Sequence, residues 1–306
     1  MRPTDGVHLG LMLLALAGTY LVPFELLLLS YVVLGPAHYF TEISWLHDRK
    51  YFLPHRGVAA VLAFVAAMAV LIENASWFGF VMWSALVVCV MIAGTTTAVQ
   101  AFVVMMIGVV LAILMASSGL SLAVLGILLP TLVHVSLFTL VFMVLGAYRS
   151  GSWTQAMLIV IYVAAIALIL ALPPSASTYI PAFSEVVRDY FGNVAPALSR
   201  LFQTPMKFDM RLTGLLAFIY TYHYLNWFIK VDLIRWADVP RARLALMIGA
   251  SAAATALYFY DYAFGFTVLL ALSLVHIVLE FPLNGLAIRQ LGQAIGQGMV
   301  RRILRA

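Results

Sequence analysis

Residues 263–284 read AFGFTVLLALSLVHIVLEFPLN, a run whose only ionisable side chains are His276 and Glu280. About 20 consecutive apolar residues suffice for a helix to cross the hydrocarbon core of a bilayer. The run therefore predicts a transmembrane helix. Its two polar residues stand four positions apart, so they lie one turn apart on a single helix face. Ionisable groups held in lipid are costly unless they are paired, protonated or coordinated. The pair thus marks a candidate site.

Runs of this kind recur along the chain. We read nine, at approximately 9–34, 57–74, 76–94, 97–116, 120–146, 153–172, 213–229, 242–259 and 263–284. The composition agrees: 306 residues, 64% hydrophobic, 9% charged and a mean hydropathy of +1.05 exclude an ordinary soluble domain. The expected fold is an all-α polytopic integral membrane protein of about nine transmembrane helices, in one domain over 1–306. The only long connection, 173–211, is expected to lie outside the membrane and to be able to fold over the site as a lid. The segment 286–306, with Arg289, Arg301, Arg302 and Arg305, reads as a basic interfacial tail.

The net charge of +5 does not form a nucleic-acid patch, because the basic residues flank the apolar runs. With nine spans and the N-terminus outside, twelve of the seventeen Lys and Arg fall on the inner side, which favours N-out and C-in. The expected location is a bacterial cytoplasmic membrane. The apolar start runs on to about Leu34, too long for a signal-peptide core. The single cysteine, Cys89, excludes disulfides and thiolate clusters within one chain, so a metal here would be held by His and carboxylate.

A second His-x-x-x-Glu pair, His38 and Glu42, follows Gly35-Pro36. The Gly-Pro pair is expected to end the first span and start a short helix, 37–48, that dips back into the protein. Counted along their spans at about 1.5 Å per residue, His134, His223 and His276 share the inner half of the bilayer with Glu280. The candidate metal ligands are therefore His38, Glu42, His134, His223, His276 and Glu280. Tyr222, Tyr224 and Trp227 surround His223 and are candidates for contact with a cofactor. A lone intramembrane His is most often a helix-to-helix hydrogen-bonding residue, and the case for a site rests on the shared depth. Glu25, placed mid-membrane by this reading, is a candidate proton-relay carboxylate, an extra ligand, or a protonated acid bonding a carbonyl freed by Pro23, the last being favoured. His8, His47 and His55 read as interfacial or solvated.

Imidazole and carboxylate ligands suit non-haem iron, manganese or zinc, with open positions suited to oxygen activation or hydrolysis. The leading expectation is an iron-dependent membrane oxygenase or desaturase acting on a lipid-soluble substrate, with an electron donor as a further partner. The alternatives are a b-type haem protein that exchanges electrons with quinone through two of His134, His223 and His276, a proton-coupled transporter, and a structural subunit.

The segment Gly35-Pro36-Ala37-His38-Tyr39 resembles the first motif of the bacterial and archaeal membrane β-carotene dioxygenases, the bacteriorhodopsin-related-protein-like family. The resemblance implies an all-helical membrane protein holding iron through intramembrane histidines, with His38 as the first ligand and a carotenoid as substrate. The family's later His-x-x-x-His pair has no counterpart here, where the later histidines fall singly on separate spans.

Overall fold

The computed structural model describes residues 3–50, 56–71, 129–175, 210–230 and 235–303, with isolated positions between 84 and 113. Every described element is helical. We number the helices α1 (Pro3–Leu21), α2 (Pro23–Asp48), α3 (Arg56–Leu71), α4 (129–150), α5 (Trp153–Ala171), α6 (Met210–Ile229), α7 (Arg241–Tyr260) and α8 (Tyr262–Ile303). Five described segments are long and apolar enough to cross a membrane: Pro23–Asp48, Val133–Ser150, Trp153–Ala171, Arg241–Tyr260 and Phe264–Gly296. The expected runs 76–94 and 97–116, most of the 173–211 connection, Cys89 and His55 lie wholly or almost wholly outside the described residues.

The first apolar run departs from expectation. It is two helices, because Val22 leaves helical geometry (φ −143°, ψ 61°) and Pro23 restarts the chain at the first turn of α2. The expected break at Gly35-Pro36 is absent. There the helix widens into a π-helical turn, Ser30–Leu34, in which the Gly35 amide donates to the Ser30 carbonyl, and α2 continues to Asp48. A wider turn accommodates a proline ring that an α-turn would strain. Glu25 consequently sits in the first turn of α2 instead of at mid-span, where a carboxylate complements the helix dipole.

Contacts between helix ends fix which ends lie together. Asp5, 2% exposed at the start of α1, accepts hydrogen bonds from Thr154 and Gln155 at the start of α5. Asp48 at the end of α2 receives Arg243 from the start of α7 at 2.8 Å, and Arg149 at the end of α4 donates to Gln290 on α8 at 2.7 Å. At the opposite end, the Tyr20 hydroxyl donates to the Leu172 carbonyl, and Pro174 lies so close to Gly214 that a Cβ there would sit 2.7 Å from its ring. The expectation that residue 5 and Arg149 lie on opposite sides is therefore corrected. Once Pro23 turns the chain, α1 runs from the Arg149 end and α2 returns to it.

Short local devices close the other turns. Gly151, at φ 61°, adopts the left-handed geometry that ends α4, and its amide bonds the Ala147 carbonyl. Asp261 caps α8 by accepting the Phe264 amide at 3.0 Å. Gly265 allows the α7–α8 turn to close, because a Cβ there would meet the Tyr258 backbone at 2.3 Å. At about 1.5 Å per residue, the 42-residue α8 is about 63 Å long, twice the hydrocarbon thickness. The described part of the basic tail read from 286, up to Ile303, is thus a continuation of the same helix at the Arg149 end.

Helix α6 lies at the centre, packed against α1, α2 and α5. Its residues 213–219 are all buried, and Phe218, Tyr222 and Tyr162 stack within the main apolar core. A helix surrounded by protein needs no apolar outer face. This is consistent with α6, rich in Tyr and Thr, not being among the five apolar spanning segments.

Candidate metal centre

Four helices each contribute one histidine to a single point. His38 stands on α2 one turn beyond the π-helical segment, His134 lies inside the π-helical Leu129–Phe138 of α4, His223 is on α6 and His276 is on α8. Their rings form a closed quartet with centroid separations of 4.9 Å (His38–His223), 5.4 Å (His223–His134), 5.0 Å (His134–His276) and 5.3 Å (His276–His38). Neighbouring rings meet edge to face at 65–81°. His38, His134 and His276 are 1–2% exposed and His223 is half-buried.

The nitrogens converge. His134 and His276 bring their Nε2 atoms to 3.2 Å, and His38 and His223 bring theirs to 3.3 Å. Glu42 Oε2 lies 2.9 Å from His38 Nε2, and Glu280 Oε2 lies 3.3 Å from His134 Nδ1. Both glutamates are buried, and one ligand atom from each of His38, Glu42 and His276 falls within 4.8 Å of the others.

Glu42 Oε2 and Glu280 Oε2, although within ion-pair distance of imidazole nitrogens, have no partner in hydrogen-bonding geometry. Buried polar atoms are ordinarily hydrogen-bonded. Close approach without hydrogen-bond alignment is what lone pairs aimed at a shared cation produce, since liganding nitrogens and oxygens about 2.0–2.2 Å from an ion crowd one another. The donor set, imidazole and carboxylate without thiolate, fits a first-row divalent ion.

The surroundings hold the quartet. Thr139 Oγ1 bonds His223 Nδ1 at 2.9 Å, leaving Nε2 directed at the centre. Tyr39, fully buried, stacks on His276 at 4.2 Å and shares a 2.8 Å hydroxyl bond with Tyr224. Tyr224 and Trp227 pack on His38 at 5.0 and 5.4 Å, and the Trp227 indole donates to Thr41 Oγ1 at 3.0 Å.

All six residues read as ligands from the sequence come together, as do Tyr224 and Trp227. Tyr222 does not, because it is turned into the core against Tyr162 and Phe218. His47 pairs with Asp48 at the exposed end of α2, and His8 lies one turn from Asp5 on α1. The sequence reading missed Thr139 and Asn284. Asn284 is fully buried with neither amide atom partnered, and its signal was legible, since it extends the stripe His276–Glu280 by one more step of four. Thr139 gave no such signal. It meets His223 only through the packing of α4 on α6.

Comparison with known proteins returns no match among family models, curated proteins or solved structures.

Proposed function

We propose that this protein is a metal-dependent membrane enzyme, a non-haem iron oxygenase or desaturase whose substrate is an apolar molecule drawn from the bilayer. The observation that carries the proposal is the buried quartet of imidazoles from four helices, with Glu42 and Glu280 against it and the carboxyl oxygens that face the imidazoles without a hydrogen-bond partner. Ionisable groups in a low-dielectric interior are compensated by pairing, protonation or coordination, and the convergence of ring nitrogens and carboxyl oxygens favours coordination. His38, His134, His223 and His276 would hold the ion, with Glu42 or Glu280 completing its shell. Iron bound there would supply oxygen activation.

The chain's own residues have the remaining work. Thr139 fixes the His223 ring through Nδ1, Tyr39 fixes His276 by stacking, and the tight packing of α2, α4, α6 and α8 excludes water. Tyr224 and Trp227 form an aromatic wall beside His38 suited to an extended unsaturated chain. A carotenoid is the substrate that the likeness of residues 35–39 favours, and an electron donor would be required for desaturation. Imidazole rings about 5 Å apart favour a single ion over haem, whose porphyrin would have to lie between two of them.

The end of the bundle that carries Asp48, Arg149, Arg243 and Arg289 holds nearly all the described basic residues, against Arg211 at the other end. We place it at the cytoplasmic face of a bacterial inner membrane, which puts the described starts of α1 and α7 and the end of α8 on that face.

The test is elemental analysis of the detergent-purified protein together with its visible spectrum. Near-stoichiometric iron without a Soret band supports the proposal and directs a screen of carotenoids and alkyl lipids with oxygen. A Soret band replaces it with the haem and quinone reading. Metal-free protein that refuses added iron(II) overturns it.

A further inference from the structure

Two of the four ligand helices reach the centre through π-helical turns, and the one before His38 is anchored from outside. Pro36 has no amide hydrogen, so the carbonyl that an α-helical residue 36 would bond, Val32 O, is left without its partner within the helix. Thr255, on α7, donates its hydroxyl to that carbonyl at 2.7 Å. Val32 is fully buried, so the carbonyl has no solvent to turn to. Ser30, at the start of the same turn, is bonded to Thr221 of α6 at 2.6 Å, and Gly35 closes the turn onto the Ser30 carbonyl.

This turn sets the phase of everything after it. A π turn holds one residue more than an α turn, and each residue turns the helix by about 100°. If residues 30–34 relaxed to α-helix, His38 and Glu42 would swing away from His223 and His276 together, since they share one face. Gly35 leaves little tolerance, because a Cβ there would meet the Tyr39 hydroxyl at 2.9 Å.

We propose that Thr255 is a positioning residue for the metal centre: its hydroxyl holds the π turn that points His38 and Glu42 at the other ligands. The inference rests on the metal-centre reading for its consequence but not for its geometry. The Thr255 hydroxyl bonds the Val32 carbonyl and acts through the backbone.

The test uses the full chain in detergent and cobalt(II), whose visible bands report ligand number and geometry. Thr255→Val keeps the shape and loses the hydroxyl. It should weaken cobalt binding about tenfold, the lower end of the range for groups that orient ligands, and alter the bands. Thr255→Ser should restore both. Adding Pro36→Ala to Thr255→Val, which returns an amide donor to the helix, should recover part of the loss. Hydrogen exchange over residues 30–42, read without metal, should be faster in Thr255→Val. Unchanged exchange, or unchanged cobalt affinity and bands in Thr255→Val, would overturn the inference. Wild-type protein that binds no cobalt or iron while Thr255→Val still speeds exchange would overturn the metal reading alone.

Discussion

His134 and His276, 142 positions apart in the chain, bring their Nε2 atoms to 3.2 Å inside the bundle. Two neutral imidazole nitrogens at that distance either share a proton or turn their lone pairs to a common ion. His38 and His223, on the other side of the quartet, repeat the relationship at 3.3 Å. Two such pairs, with a carboxylate against one member of each, are the geometry on which the proposed common ion rests.

His134→Ala or His276→Ala should therefore release the metal while leaving the helical fold. The loss should exceed the roughly 10–100-fold seen when outer-shell partners are removed. Elemental analysis after gel filtration, with circular dichroism as the control for folding, checks this. Full metal retention in both variants would sink the centre as drawn.

Glu42→Gln separates a metal ligand from a structural carboxyl group. The substitution keeps the size and shape of the side chain and removes its capacity to bind a cation as a carboxylate, so the metal-free fold should change little. We expect the metal-free form to melt no lower than wild type and the metal to be lost from the variant. A variant that melts lower and keeps its metal would assign Glu42 a purely structural role.

Acid should strip the centre reversibly. Imidazole must be neutral and carboxylate ionised to bind a cation, so protons compete at every ligand and affinity falls as pH falls. Equilibrium dialysis between pH 8 and pH 5 should show decreasing occupancy that returns on neutralisation with added iron(II). Occupancy independent of pH would contradict an imidazole and carboxylate donor set.

Gly35→Ala should disturb the centre from a distance. The new methyl would lie 2.9 Å from the Tyr39 hydroxyl, which is bonded to Tyr224, and Tyr39 stacks on His276. Overpacking of this kind costs about 1–3 kcal/mol. Tyr39→Phe, which loses only the hydroxyl bond, should cost about 0.5–1.5 kcal/mol. Thermal melts of the two variants compare the costs, and equal values would show that the ring had moved freely.

The pairing of helix ends predicts labelling from the two sides of the membrane. In a Cys89→Ser background, Gly6→Cys, Ser152→Cys and Asp238→Cys should react with an impermeant thiol reagent only from the cytoplasmic side, and Ser175→Cys only from the other. Labelling of Gly6→Cys and Ser152→Cys from opposite sides would refute the contact of Asp5 with Thr154 as the organiser of α1.

Much of the centre was legible because ionisable residues are conspicuous in an apolar chain. His38, Glu42, His134, His223, His276 and Glu280 stand out by the cost of placing them in lipid; depth counting brought His134, His223, His276 and Glu280 to one level, while His38 and Glu42 were carried towards them by an expected break at Gly35-Pro36 that the structure lacks. Tyr222 was misplaced because, on a helix buried all round, neighbours in sequence face different partners and hydrophobic periodicity carries no direction. The sidedness of the first run was misread at one residue. Pro23 and Pro36 look equally able to break a helix, and the choice depends on which carbonyl finds another donor. For Pro36 the donor is Thr255, more than two hundred positions away.

By itself the sequence determined that this is a helical membrane protein, which four histidines and two glutamates stand out within it, and that one chain can form no cluster of thiolates. These follow from local terms: the apolar length of each run, the cost of an ionisable group in lipid, and the residue types present. Only the tertiary structure decided that the six groups cluster, that Thr139 and Tyr39 pack on two of the histidines, and that a hydroxyl on α7 bonds the turn before His38 and Glu42. Ring angle and helix phase are set by packing between distant segments, and a shift of one residue in a helix turns its ligands by about 100°.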